Sequence, residues 1–161
     1  MKQRGRIAID RMAESDLDGV LKIERISFPA PWSRALFERE LHMPFAKACV
    51  AREIPPDEIV GYLCFWVVGE EAHILNLAVH PDRQRQGIAT HLLRYGVNHC
   101  RKKGTREITL EVRRSNYKAI SLYRNFQFQP RGIRRRYYSD SREDAVIMGL
   151  QLVDPSPAYL G

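Results

Sequence analysis

The chain has 161 residues, about one domain on a prior of roughly 100–200 residues per domain, so no second folded domain is expected. Its 44% hydrophobic and 28% charged residues are enough for a buried core and too mixed for a disordered tail. Twenty-six Lys and Arg against 19 Asp and Glu leave a formal charge of +7, which suits an anionic partner (a phosphorylated cofactor, nucleic acid or an acidic surface) without choosing among them.

Residues 5–12 read as a strand. Ser15 with Asp18 offers a capping box ahead of Leu17, Val20 and Leu21 at helical spacing. Two prolines in Phe28-Pro29-Ala30-Pro31-Trp32 end that helix near Phe28, and Ser33 caps a second one carrying Leu36, Phe37, Glu40 and Leu41. Phe45–Arg52 and Ile59–Val68 form a hairpin around the Pro55-Pro56-Asp57 turn, and His73–Val79 is a further strand. Ile88, Leu92, Leu93, Gly96 and Cys100 recur every three or four residues, which predicts a helix closed by Gly104. Ile108, Leu110 and Val112 alternate with Thr109 and Glu111 in a strand. A short helix over Asn116–Phe126, a strand, a basic turn and a last strand over Asp144–Leu152 follow.

The order βααβββαβαββ predicts an α+β protein, a mixed, mostly antiparallel sheet with helices on both faces, rather than a doubly wound one. Residues 1–152 are expected to be the folded domain, and the tail 153–161, with Pro155 and Pro157, to be disordered. The longest apolar run, Ile59–Gly69, has 11 residues, short of the ~20 that span a bilayer, so no membrane segment is expected. The basic start Met1, Lys2, Arg4, Arg6 meets Asp10 before any apolar stretch of a signal peptide develops, which predicts a cytoplasmic protein. Cys49, Cys64 and Cys100 are odd in number and form no CxxC pair, and His42, His73, His80, His91 and His99 form no HExxH. Neither a disulfide framework nor a metal site is expected.

The loop Gln84-Arg85-Gln86-Gly87-Ile88-Ala89 joins a strand to the N-terminus of the clearest helix. Unpaired N–H groups there, with Gly87 admitting a close approach, make a diphosphate cradle that is neither a Walker loop nor a GxGxxG. By itself such a glycine is as readily an ordinary turn residue. Leu75-Asn76-Leu77-Ala78-Val79 precedes the loop. Leu110-Glu111-Val112, Ser115-Asn116, Leu122-Tyr123 and Phe126-Gln127-Phe128 follow it. The ordered set closely resembles the GNAT superfamily of acetyl-CoA-dependent N-acetyltransferases, from the first strand to about Leu152. Phe28–Ser33, Leu110–Asn116 and Ile133-Arg134-Arg135-Arg136-Tyr137-Tyr138 resemble its bacterial ribosomal-protein-alanine N-acetyltransferase (RimI-like) branch.

The resemblance implies a GNAT fold, acetyl-CoA as cosubstrate, and acetylation of a protein N-terminal α-amine, the alanine of a small-subunit ribosomal protein. It implies that the main chain of Leu77, Ala78 and Val79 holds the acetyl and pantetheine end. Arg85, Gln86, Gly87, Ile88, Ala89 and Thr90 would hold the diphosphate, and Asn116 would hydrogen-bond the cofactor further along. Glu111 matches the general base and Tyr123 the general acid. Phe28, Trp32, Tyr137 and Tyr138 would line the peptide site. Read without the resemblance, Glu111 is the polar face of an amphipathic strand, Tyr123 a core aromatic, Asn116 a helix cap, and Phe28 and Trp32 structural aromatics. The Arg134–Tyr138 run is a solvated turn or, with basic and aromatic residues interleaved, an RNA contact. Two further functions stay open: acetylation of a lysine side chain or a small-molecule amine, and an inactive GNAT-like module docking on RNA. The chain departs from the superfamily pattern at Gln127, where Gly is frequent, so the turn is expected to differ slightly there. Ala89 replaces another frequent Gly, a small-for-small change.

Overall fold

Eleven regular elements follow one another in the expected order in the computed structural model, which describes residues 5–152. They are β1 (Arg6–Arg11), α1 (Leu17–Ser27), α2 (Arg34–His42), β2 (Ala46–Ile54), β3 (Glu58–Val68), β4 (Glu71–Val79), α3 (Ile88–Lys102), β5 (Glu107–Arg113), α4 (Tyr117–Asn125), β6 (Gln129–Arg134) and β7 (Ala145–Gln151). The strands form a seven-stranded sheet in the order β1-β2-β3-β4-β5-β7-β6. The tail expected to be disordered and the start Met1–Arg4 lie outside the described residues. Among the described residues no helix is long and apolar enough to cross a membrane.

The chain divides into two compact units, one holding the residues up to Trp66 with Leu75–Asn98, the other Val67–Ile74 with the residues from His99 on. In the first, β1 pairs antiparallel with β2, and β2 with β3. Side chains alternate across a strand, so neighbours on β3 serve opposite faces. Tyr62 and Cys64 join Leu17, Val20, Leu21 and Ile23 of α1 and Phe37 of α2 in one apolar cluster. Leu63 and Phe65 point the other way, toward α3, where a Cβ on Gly96 would come within 2.7 Å of Leu63 and 3.7 Å of Phe65. Gly96 therefore sets how closely this helix approaches the sheet, and helices cover both faces, as the sequence pattern implies.

The start of α1 corrects one expectation. Ser15 and Asp18 form no capping box. A single 3-10 turn, Glu14–Asp16, precedes the helix, and the Asp16 carboxylate accepts from the Ala13 N–H at 2.8 Å. Asp18 is drawn away into an exposed pair with Arg34. Ser33 does cap α2, accepting from the Leu36 N–H at 3.2 Å. Cys49, Cys64 and Cys100 are buried free thiols. Burial pushes Cys49 to about 12 and Cys100 to about 11, which makes them inert core residues.

In the second unit, β4 runs parallel to β5 over Glu71–Ile74 against Glu107–Leu110. β5 pairs antiparallel with β7, and β7 with β6. Along β5 the residues Ile108, Leu110 and Val112 are buried, while Glu107, Thr109, Glu111 and Arg113 share the less buried face. α4 ends in a two-bond turn: Phe128 N–H donates to the Tyr123 carbonyl at 3.0 Å and Gln127 N–H to that of Arg124 at 2.9 Å. This is a Schellman closure, which needs a left-handed residue at the position after the cap. Gln127 adopts it with φ +73°, so the turn is the same one a glycine would make and the expected difference does not occur. Fully buried Phe128, its ring 5.5 Å from that of Tyr123, locks the conformation.

A left-handed backbone costs a side-chain-bearing residue roughly 1–2 kcal/mol, offset in part by the extra chain entropy a glycine gives up. Gln127→Gly should therefore stabilise the protein by about 0.5–1 kcal/mol, a rise of roughly 1–4 °C in Tm by calorimetry. An unchanged or lower Tm would mean that the Gln127 side chain contributes more than its backbone strain costs.

Candidate active site

The residues singled out for the acyl donor lie in the first unit, except Asn116. Leu77, Ala78 and Val79 form the last residues of β4, with Ala78 and Val79 buried and Leu77 half-buried. The chain then turns through Pro81–Arg83 into the loop and on to α3. Gly87 has φ +78° and nothing within 4 Å of where a Cβ would stand. Arg85, exposed, is also left-handed at φ +64°. The first bond of α3 is the His91 N–H to the Gly87 carbonyl at 3.0 Å. A helix's earlier N–H groups have no partner within it. Ile88 is buried and anchors the turn, while Gln86, Ala89 and Thr90 are half-buried. An open glycine main chain, a helix N-terminus and an exposed arginine fit a bound diphosphate.

Glu24 of α1 is 1% exposed. Its Oε1 accepts from Asn76 Nδ2 at 3.1 Å and from the Tyr62 hydroxyl, and its Oε2 from the Trp32 N–H at 2.9 Å. The Tyr62 phenol is pushed well above its ordinary range by burial first and by the Glu24 charge second. This carboxylate ties the Phe28–Trp32 loop to β3 and β4. Phe28 and Trp32 are half-buried against the apolar cluster, Trp32 with its ring 5.1 Å from that of Phe37. The sequence marks the proline pair of this loop but not the buried acid that holds it.

Glu111, Tyr123, Asn116, Tyr137 and Tyr138 lie in the second unit. Glu111 has a side chain only 12% exposed. Its Oε2 is 2.7 Å from His73 Nε2, and its Oε1 is 3.3 Å from Arg134 Nε. The hydrogen bond from His73 first, and the charges of His73 and Arg134 after it, hold its carboxyl below the usual carboxylate range against the opposing effect of burial. Tyr123, on α4, is 7% exposed. Burial, with a smaller push from Tyr138, raises its phenol above the ordinary value, so it stays protonated. Asn116 caps α4, its Oδ1 accepting from the Ala119 N–H at 3.1 Å, which leaves its amide N–H groups outside the cap. Tyr138 is half-buried, with the Arg113 guanidinium 4.0 Å from its ring centroid, and burial pushes its phenol up to about 12. Tyr137 is exposed and stands edge-on to it at 5.1 Å. Arg134 lies over Tyr137 at 5.8 Å, so one member of the basic run is engaged with Glu111 and an aromatic ring.

Among the described residues no group of three or more His, Cys, Asp or Glu could hold a metal ion. Sequence reasoning places Glu111 but misses its partner. His73 reads as one of five scattered histidines, and only the strand register sets it opposite Thr109.

A mixed seven-stranded sheet, an open glycine turn ahead of α3 and a carboxylate held ionised on β5 are features of acyltransferases of the acetyl-CoA-dependent kind. The profile of the acetyltransferase (GNAT) family matches residues 17–128, and the chain belongs to that family. It is 39% identical over 142 residues to a Bacillus subtilis (strain 168) protein named "Putative [ribosomal protein bS18]-alanine N-acetyltransferase", covering 88% of this chain and 93% of that protein. The crystal structure of the ribosomal-protein-S18-alanine N-acetyltransferase from Escherichia coli superposes with a TM-score of 0.83 at 32% identity, covering 94% of this chain and 98% of that one. Ard1 from Thermoplasma volcanium shares the fold, with a TM-score of 0.84 at 24% identity over 92% of this chain and 99% of that one.

A carboxyl depressed in the folded state contributes stability that is present above its unfolded value and is lost as pH falls through the folded one. The wild-type advantage in Tm over Glu111→Gln should thus be present at about pH 4.3 and shrink as pH is lowered further. Melting curves of both proteins between about pH 7 and pH 3 check it. A difference that stays constant across that window would show that Glu111 is not held ionised by His73 and Arg134.

Proposed function

We propose that the protein transfers the acetyl group of acetyl-CoA to a protein N-terminal α-amine, that of the alanine of ribosomal protein bS18. The likeness to the Bacillus and Escherichia relatives over nearly their whole length carries this reading, since their own names give that activity. The catalytic domain is assigned to residues 1–152 and its place of action to the cytoplasm.

In this reading Leu77, Ala78 and Val79 offer main-chain groups to the acetyl and pantetheine end, and a backbone N–H near Leu77 stabilises the developing oxyanion. Arg85 and the main chain from Gln86 to Thr90 take the diphosphate, and the free amide of Asn116 takes a polar group of the cofactor. Phe28, Trp32, Tyr137 and Tyr138 wall the incoming peptide. Bound acetyl-CoA supplies a thioester that the amine attacks directly. The α-ammonium has an ordinary pKa near ~7.7–8.0, so before attack it yields little proton to a carboxylate as weakly basic as Glu111. Once the N–C bond forms, the nitrogen becomes far more acidic, and a correctly placed weak base suffices. Glu111 then collects the proton through water. Tyr123, kept protonated by burial, donates to the departing thiolate.

With a panel of peptides, those beginning with alanine should be acetylated on the α-amine, read by mass spectrometry. Preferred acetylation of lysine side chains in peptides with blocked N-termini would overturn the reading. Gly87→Val tests the cradle. Valine disfavours φ +78°, so the loop must change path, and coenzyme A affinity by calorimetry should drop roughly tenfold or more, the equivalent of ~1.4 kcal/mol. Open space around the missing Cβ leaves the rest of the fold in place. Unchanged affinity in the folded variant would take this loop out of the site.

A further inference from the structure

We propose that His73 is a positioning residue for the acetyl transfer, one that orients Glu111 and, through its own charge, sets how strong a base that carboxylate is. The inference rests on the reading of Glu111 as the proton acceptor.

The geometry comes from the parallel pairing of β4 with β5, which sets His73 directly opposite Thr109. His73 Nε2 lies 2.7 Å from Glu111 Oε2, and Nδ1 lies 2.8 Å from Thr109 Oγ1. Two residues on one face of the neighbouring strand thus engage both ring nitrogens and fix the ring's orientation. A hydroxyl both donates and accepts. With the ring neutral, Nε2–H donates to the carboxylate while the Thr109 hydroxyl donates to Nδ1. With the ring protonated, both N–H groups donate, and the hydroxyl only has to rotate. The ring can therefore gain or lose a proton with both contacts preserved. An ordinary packing histidine needs no such arrangement.

The charged and titratable groups around the pair come from several elements. Arg134 of β6 approaches Glu111 Oε1 at 3.3 Å. The Tyr138 phenol, in the loop between β6 and β7, feels the Glu111 charge. Glu107, two positions beyond Thr109 on the same face of β5, is paired with Arg131, and Glu71 is exposed at the start of β4. His73 occupies Glu111 Oε2, so Oε1 is the oxygen that receives the proton. That proton leaves the attacking nitrogen, crosses a water to Glu111 Oε1 and is later released to solvent, while His73 keeps its Nε2–H throughout. With the imidazolium present, a full positive charge beside the carboxylate lowers its proton affinity. With the neutral ring, only the hydrogen bond remains and Glu111 is the stronger base. An imidazole ordinarily changes charge between about pH 5 and 8, so the rate should carry a dependence on the charge beside Glu111 besides that on the amine.

The test is kcat/KM for an alanine-starting peptide from about pH 5.5 to 9 in wild type, His73→Ala, His73→Gln and Glu111→Gln, with a melting curve for each. His73→Ala should lower kcat roughly tenfold, part of the 10²–10⁴ a general base contributes, with KM for acetyl-CoA nearly unchanged. His73→Gln keeps an amide donor without a titratable charge. It should recover most of the rate near pH 8 and lack that charge dependence, so that the ratio of wild type to His73→Gln rises severalfold from acid to alkaline pH. A flat ratio, or full activity in both His73 variants, overturns the proposal. If His73→Ala fails to fold, the pH profile of His73→Gln decides alone. Glu111→Gln separates the two readings: impaired Glu111→Gln beside a flat His73→Gln ratio sinks only the role of His73, whereas fully active Glu111→Gln removes the base itself and His73's role with it.

Discussion

A carboxylate withdrawn from water must be hydrogen-bonded on both oxygens or it costs several kcal/mol, and Glu24 meets that demand with donors from three separate segments. Tyr62 comes from β3, Asn76 from β4 and the Trp32 N–H from the loop between α1 and α2. None of the three is charged, so the geometry of all three has to be right at once. That requirement fixes where the loop leaves α1, and with it Phe28 and Trp32. The apolar cluster of Leu17, Val20, Ile23, Phe37 and Tyr62 packs around the same point. The other buried acids of this unit are likewise partnered: Asp16 with Arg52 at 2.8 Å, Glu53 with Arg83 at 3.2 Å and Glu40 with the Trp66 indole at 3.1 Å. Each of these buried acids, Asp16, Glu24, Glu40 and Glu53, is thus held by a partner of its own.

Such networks explain what could and could not be read from the residues in order. The elements themselves were legible because apolar spacing, Ser33, Gly104 and the prolines after Phe28 act within a few positions. The start of α1 was not. Ser15 and Asp18 have the right local spacing, but Arg34, sixteen residues away, takes Asp18, and the Asp16 carboxylate turns back to the Ala13 N–H instead of capping the helix. Gln127 was misjudged for a related reason. Its backbone conformation is imposed by Phe128 reaching the core and by two closing hydrogen bonds, and tertiary burial overrides the preference of a single residue. Glu111 could be marked by its family-like string, whereas His73 could not. Its meaning depends on a partner strand 36 residues away, and no local pattern carries that register.

The two carboxylates Glu24 and Glu111 show why burial alone does not mark a base. Similar in kind, they differ in what surrounds them. Glu24 accepts from three neutral donors, and a further proton there would break a contact that holds the loop. Its environment is that of a structural hub. Glu111 is met by one histidine and, at longer range, one arginine. These keep it ionised and fill mainly one of its oxygens. The other can take a proton at the modest cost of weakening a 3.3 Å contact with Arg134. Glu24, with every contact committed, is suited to hold shape, whereas Glu111 keeps one oxygen only in a longer contact with Arg134. The same contrast separates the tyrosines. Tyr62 spends its hydroxyl on Glu24. Tyr123, buried beside Phe128 and raised by that burial, keeps its proton in the folded protein.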